Sequence, residues 1–162
     1  MPSFRSRAVK RRRDGRYELH FSDELRELLR SLAGQMTELI EDEPEDPSLR
    51  RLFPTAYTDD PFRDAEYQVM SGDRLRDGRK GSYEMLERVI GHQVVTDDEL
   101  GALLRALNDV RLVVGTRLDV SEDDEPFGSE ADPDDPADQL RWLYDVLTLV
   151  QSEVVDALSR SL

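Results

Sequence analysis

Apolar residues at helical spacing run through most of this chain. Apolar stripes cover residues 23–41, 61–71, 82–91, 97–118 and 136–160. A spacing of three to four residues places these side chains on one face of an α-helix, which can then be buried against other helices. The pattern therefore predicts a mostly α fold, a bundle of about five helices.

The N-terminal segment has a different periodicity and predicts a short β-hairpin over residues 4–21. Tyr17, Leu19 and Phe21 alternate with polar residues, as expected for a strand with one buried face. Asp14 and Gly15 form a typical hairpin turn sequence. An isolated two-stranded ribbon is marginal in water, so we expect the hairpin to pack on the helices.

Capping residues and glycines divide the helical part. Ser22, the pair Asp60-Pro61 and the pair Asp135-Pro136 are suited to helix N-termini. Thr96 and Glu99 form a predicted capping box, in which each side chain meets the backbone N–H of the other. Glycines at 72, 78 and 81 predict an interruption between the segments 61–71 and 82–91.

A single domain accounts for the whole length. We predict one domain over residues 1–162, with the hairpin at 4–21, helices within 22–118, an acidic loop at 119–135 and a C-terminal helix at 136–160. Residues 119–138, which are the acidic loop and the start of the last helix, hold ten carboxylates and no cation, and the loop composition is typical of a solvated or disordered segment.

Charge is segregated along the sequence. The chain carries 22 basic and 36 acidic residues, a net charge of −14. Seven cations and one carboxylate give residues 1–17 a charge of +6, which leaves −20 for the rest. We predict these cations to bind a protein partner or nucleic acid; the alternatives are that they protect an exposed strand edge or pair with the chain's own acidic loops. The cations are Arg5, Arg7, Lys10, Arg11, Arg12, Arg13 and Arg16.

Polar residues inside the helix 97–118 are the second candidate site. Asn and Asp are poor residues for a helix interior, so a specific interaction is expected there. The predicted polar network, together with Arg105 and Tyr144, consists of Asn108, Asp109, Arg111, Arg117 and Asp145. Two interpretations stay open: an interhelix ion pair, or a pocket for a small anion or a partner side chain.

The last helix is apolar around much of its circumference. Trp142, Val146, Leu149 and Val150 extend the stripe formed by Leu140, Leu143 and Leu147. Such a helix is either central in the bundle or in contact with another chain. These four residues are therefore a candidate dimer seam.

Catalytic and metal-binding patterns were not found in the sequence. The absence of cysteine excludes disulfides and thiolate chemistry. The two histidines, His20 and His92, lack companions at ligand spacing, and no phosphate-binding loop or nucleophile elbow is present. We expect a non-enzymatic, cytoplasmic protein without cofactor or metal, and no apolar run suggests a membrane span.

Several sequence segments together resemble an actinobacterial family catalogued as a domain of unknown function, which includes the oxidative-stress regulator AosR. The segments that carry the resemblance are 52–57, 59–67, 104–112, 115–118 and 142–145. The resemblance implies a small helical protein that acts on transcription, with a sigma factor or another transcription component as partner. The redox sensing proposed for that regulator needs paired cysteines, which this chain lacks.

Three functional hypotheses follow from these patterns. The first is a regulatory or adaptor protein that acts by protein–protein interaction. The second is a DNA-binding regulator that uses the basic hairpin, and the third is a structural homodimer with the last helix as its seam.

Overall fold

The computed structural model describes residues 7–53, 59–118 and 132–160, apart from the side chains of 68–70 and 73. The described chain is a mostly α bundle with a small N-terminal sheet, as predicted. Its elements are β1 (Val9–Arg11), β2 (Tyr17–Leu19), α1 (Asp23–Asp42), a short 3-10 helix (Pro47–Leu49), α2 (Pro61–Val89), β3 (Val94–Val95), α3 (Asp97–Leu118) and α4 (Pro136–Ser159). The predicted hairpin residues 4–6, including Arg5, and most of the predicted acidic loop lie outside the described residues.

The predicted hairpin is present and belongs to a three-stranded antiparallel sheet of order β1-β2-β3. Val9 pairs with Leu19, and Tyr17 pairs with Val95. Gly15 has a φ of 85°, a left-handed conformation that favours glycine at this turn. The strand β3 was not predicted, because a run of two valines is too short to show a period.

The predicted caps begin four helices. The Ser22 and Asp60 side chains accept hydrogen bonds from the backbone N–H groups of Leu25 and Arg63. Asp135 caps α4 in the same way. At α3, the Glu99 N–H donates to Thr96 Oγ1 at 3.2 Å and the Thr96 N–H donates to Glu99 Oε1 at 3.4 Å, so the capping box is confirmed.

The predicted interruption near the three glycines was wrong. The helix α2 runs without a break from Pro61 to Val89. Glycine costs a helix interior about 1 kcal/mol relative to alanine, and tertiary packing can outweigh that. Here Tyr83, Leu86 and Val89 of α2 are all buried in the core, which holds the C-terminal part of the helix in place.

The long helices pack in chain order. α1 lies mainly against α2, α2 against α3, and α3 against α4. The central core residues include Leu29, Leu103, Leu107 and Leu147. Because α4 packs on α3 rather than on α1, the bundle leaves a groove between α1 and α4 with α3 as its floor.

Arg26 of α1 ties the sheet to the helices. Its guanidinium donates to the backbone oxygens of Leu19 and His92, at 2.8 and 3.0 Å, and to that of Ile90. The backbone N–H of Ala8 donates to Glu153 of α4 at 3.1 Å. The hairpin is therefore fixed to the bundle at both of its strands. Within the described residues, no helix combines the length and apolarity that crossing a membrane requires.

Candidate functional site

The groove between α1 and α4, here called the α1/α4 groove, is a surface depression with a largely apolar lining. One part, of about 340 Å³, has Val110, Val113 and Val114 of α3 in its lining. A second part, of about 630 Å³, lies between Leu28 of α1 and Trp142 of α4. The two parts are adjacent, since Leu143 lines both, and their combined lining on α1 runs from Leu28 to Asp42. Its remaining apolar lining consists of Leu32, Met36, Leu39, Pro133 and Leu140.

Carboxylates surround this apolar lining. The acidic residues at the groove are Glu38, Asp42, Glu43, Asp132 and Asp138. Arg117 is the single cation among the lining residues. An apolar depression with a charged rim is the usual anatomy of a protein-binding site.

The fold buries two residues of the candidate dimer seam and leaves the other two partly exposed. Val146 and Val150 are 1% and 0% exposed and belong to the core of the single chain, so the prediction that they form an intermolecular seam was wrong. Trp142 and Leu149 are 43% and 39% exposed. These two residues are seven positions apart and share one line along α4, whereas the valines pack with the core.

Several cations of the basic hairpin form no ion pair within the described residues. Arg16 Nη2 lies 2.8 Å and Arg12 Nε lies 3.3 Å from Asp14 Oδ2. The hydrogen bonds from Arg16 hold the pKa of Asp14 below its usual value. Four cations of the hairpin have no ion pair among the described residues, and all four are exposed; they are Arg7, Lys10, Arg11 and Arg13. The tract is therefore only partly neutralised by its own chain.

Asp109 does form a buried ion pair, but its partners differ from the prediction. Its Oδ1 lies 2.6 Å from Arg79 Nη1, and its Oδ2 accepts a hydrogen bond from Tyr83 at 2.8 Å. Both partners are on α2, not on the last helix. Burial, followed by the charge of Asp109, raises the pKa of the Tyr83 hydroxyl far above its usual value.

The other members of the predicted network lie elsewhere. Arg111 Nε donates to Thr148 Oγ1 at 2.9 Å, and its guanidinium is 5.0 Å from the centre of the Tyr144 ring. Asn108 Oδ1 accepts from Gln151 at 3.3 Å. Asp145 joins none of these contacts, and partial burial raises its pKa. Arg117 lies near Asp46, whose pKa is lowered chiefly by Ser48.

Helix geometry explains this division. α3 lies between α2 and α4, so residues on its two sides meet different neighbours. Asn108 and Arg111 are three positions apart and contact α4, whereas Asp109 contacts α2. The predicted single network is thus two separate sets of contacts. Within the described ranges, no group of three His, Asp or Glu side chains is arranged to hold a metal ion.

Sequence reasoning missed the groove and the partners of Asp109. Arg79 lies between the segments 61–71 and 82–91, where the three glycines predicted an interruption that α2 does not have. A helix drawn through these glycines places Arg79 and Tyr83 on one face, four positions apart. That spacing was the available signal.

Comparison with known proteins gives one match. The family model described as Domain of unknown function (DUF2017) matches residues 4–158. No curated protein matches the chain, and no solved structure matches it.

Proposed function

The chain belongs to the DUF2017 family, and for this member we propose the function of a non-enzymatic adaptor that binds a partner protein in its α1/α4 groove. The observation that carries the proposal is the open apolar groove with an acidic rim. The occupant we propose is an amphipathic helix of the partner, with an apolar stripe flanked by lysines and arginines.

Shape supports a helical occupant. The groove is elongated and has helices as walls and floor, which is the setting of helix-in-groove recognition. Leu28 and Trp142 reach its surface and offer apolar area to the stripe of such a helix. Trp142, as a large and partly exposed aromatic residue, is the type of anchor that dominates binding energy at interfaces.

Charge supports a basic occupant. Glu38, Asp42 and Asp138 at the rim attract cations on a partner and repel acidic surfaces. The net charge of −14 also attracts cationic partners and repels acidic ones, at longer range. A second copy of this chain is a poorer helical occupant, because its helices lie in the part of the chain that carries −20, and its basic tract is a hairpin.

The family resemblance of the sequence suggests the cellular process in which the adaptor acts. Its likeness to the family that includes AosR supports a role in transcription or stress response, with a sigma factor or another transcription component as partner. Because the chain has no cysteine, a thiol-based redox switch is not part of this proposal.

The groove can be tested with a defined peptide, since Trp142 is the only tryptophan of the chain. The probe is an amphipathic peptide of about 15 residues made of leucine and lysine, long enough to form a helix. Binding in the groove will shift the emission of Trp142 to shorter wavelength in a saturable way. The matched peptide with glutamate in place of lysine will bind several-fold more weakly.

Charge reversal at the rim provides the control. Asp138→Lys will weaken binding of the leucine–lysine peptide several-fold, whereas Glu84→Lys, on an exposed position of α2 outside the groove lining, will not. Equal affinity for both peptides, or equal effects of both variants, would contradict the proposal. Crosslinking in cells from position 142, followed by mass spectrometry, then identifies the natural partner.

The exposed hairpin cations favour DNA binding as a second candidate function. Arg7, Lys10, Arg11 and Arg13 can contact phosphates without breaking an ion pair of the described chain. Duplex DNA is therefore the second probe, used in a gel-mobility assay. Retardation of DNA at low salt that disappears in the triple variant of Arg11, Arg12 and Arg13 to alanine would support this function instead.

A further inference from the structure

A second depression, here called the α2/α3 cleft, lies on another side of the bundle and has the opposite electrostatic character. Its volume is about 460 Å³. Three arginines line it, Arg74 and Arg79 from α2 and Arg105 from α3. The remaining lining residues are Leu75, Gly78, Ser82, Asn108, Asp109 and Leu112.

Asp109, the only carboxylate among the described lining residues, does not oppose an incoming anion. Both of its oxygens are engaged, by Arg79 and by the hydroxyl of Tyr83. The Asp109 side chain is 8% exposed, and the positive charge of Arg79 balances its own. The net charge that remains at the cleft comes from Arg74 and Arg105.

In the described part of the chain, these two arginines have no competing partner. Neither Arg74 nor Arg105 makes an ion pair or hydrogen bond among the residues that the structure describes, and both are exposed. Their two planar guanidinium groups, one on each wall, can both donate to one tetrahedral anion.

Further donors remain unused at the same place. The Arg79 Nε–H is buried and has no acceptor in the described part of the chain. Asn108 uses its oxygen for Gln151, which leaves its amino group as a free donor. The Asn108 amino group therefore favours a ligand that supplies an acceptor, whereas the Arg79 Nε–H is closed off from solvent.

We propose that the α2/α3 cleft binds the phosphate group of a small phosphate monoester. A phosphate dianion has the charge and the number of acceptor oxygens to engage Arg74, Arg105 and the amino group of Asn108 together. Leu75 and Leu112 provide an apolar wall beside these donors, which suits an apolar or aromatic group on the ester. This site is separate from the α1/α4 groove and does not depend on the adaptor function.

Calorimetric titration of the full chain tests the site, with phenyl phosphate, inorganic phosphate and benzoate as probes at constant ionic strength. Phenyl phosphate will bind saturably with one site per chain, more tightly than inorganic phosphate because of the apolar wall. Benzoate, a monoanion with two oxygens, will bind at least about tenfold more weakly. Equal binding of benzoate, or no saturable binding of phenyl phosphate, would overturn the proposal.

Glutamine variants locate the binding. Arg74→Gln and Arg105→Gln will each weaken phenyl phosphate binding by about tenfold, the loss expected for one charge-assisted hydrogen bond. Arg88→Gln, at an exposed position of α2 outside the cleft lining, is the matched control and will leave binding unchanged. Circular dichroism verifies that all three variants are folded. An equal effect of Arg88→Gln would show non-specific attraction and overturn the proposal.

Discussion

Asp109 shows what a single residue contributes when its charge is buried inside a helix bundle. A lone buried carboxylate is unfavourable, but here Arg79 and Tyr83 satisfy both of its oxygens. Arg79 also donates to the backbone oxygen of Leu52 at 3.0 Å and lies 5.4 Å from the centre of the Phe53 ring. One carboxylate therefore organises contacts among α2, α3 and the segment after the 3-10 helix.

Removing this carboxylate will destabilise the protein strongly. We expect Asp109→Ala to lower the free energy of unfolding by about 3 kcal/mol, because it leaves Arg79 partly buried without its counter-charge. The measurement is urea denaturation followed by circular dichroism. Asp77→Ala, at an exposed position of α2, will change stability by less than about 0.5 kcal/mol. If the two variants lose equal stability, Asp109 has no special structural role.

At the scale of the element, glycine has opposite roles in α2 and α3. Gly81 of α2 faces open space, since an added Cβ would meet nothing within 4 Å. Gly115 of α3 is in close contact with α4, where a Cβ would lie 3.0 Å from Tyr144 Cε2. Retreat of the Tyr144 ring from α3 would also loosen its contact with the Arg111 guanidinium, which lies 5.0 Å from the ring centre.

Alanine substitution will separate these two roles. Gly81→Ala will raise the free energy of unfolding by about 1 kcal/mol, because alanine favours the helix more than glycine does. Gly115→Ala will lower it by about 1 kcal/mol, since crowding at Tyr144 outweighs the same gain in helix propensity. Urea denaturation measures both changes. If both variants stabilise the protein, the Tyr144 side chain can move away from an added methyl group at residue 115 at little cost.

For the whole molecule, the order in which the helices pack determines which apolar residues remain outside. α4 buries Val146 and Val150 against the core, so only Trp142 and Leu149 of the four candidate seam residues reach the surface. A stable homodimer usually buries at least about 1,200 Å² in total, which two partly exposed side chains cannot provide by themselves. The same packing leaves Trp142 beside the α1/α4 groove.

The molar mass of the protein in solution will test whether α4 forms a dimer seam. We expect the full chain to have the monomer mass of 18.6 kDa by light scattering after size-exclusion chromatography, and Trp142→Ala to have the same mass. A doubled mass that falls to the monomer value in Trp142→Ala would restore the homodimer hypothesis. It would also assign Trp142 to self-association rather than to the binding of another protein.

The helices, their caps and the hairpin were predictable because their signals are local. Leucines at helical spacing and capping residues such as Ser22 and Thr96 lie within a few positions of the backbone groups that they influence. Two elements did not follow from local rules. α2 continues through three glycines because the core holds it, and β3 exists only because the edge of β2 lies beside it.

The sequence by itself determined the fold class, the segregation of charge and the absence of thiol chemistry, since composition and short-range periodicity carry that information. Tertiary structure alone decided the partners of Asp109, the burial of Val146 and Val150, and the presence of two depressions with opposite charge. Each of these depends on which helices are neighbours. That choice is made by long-range packing of whole apolar faces, and several arrangements of the same amphipathic helices satisfy one sequence pattern equally well.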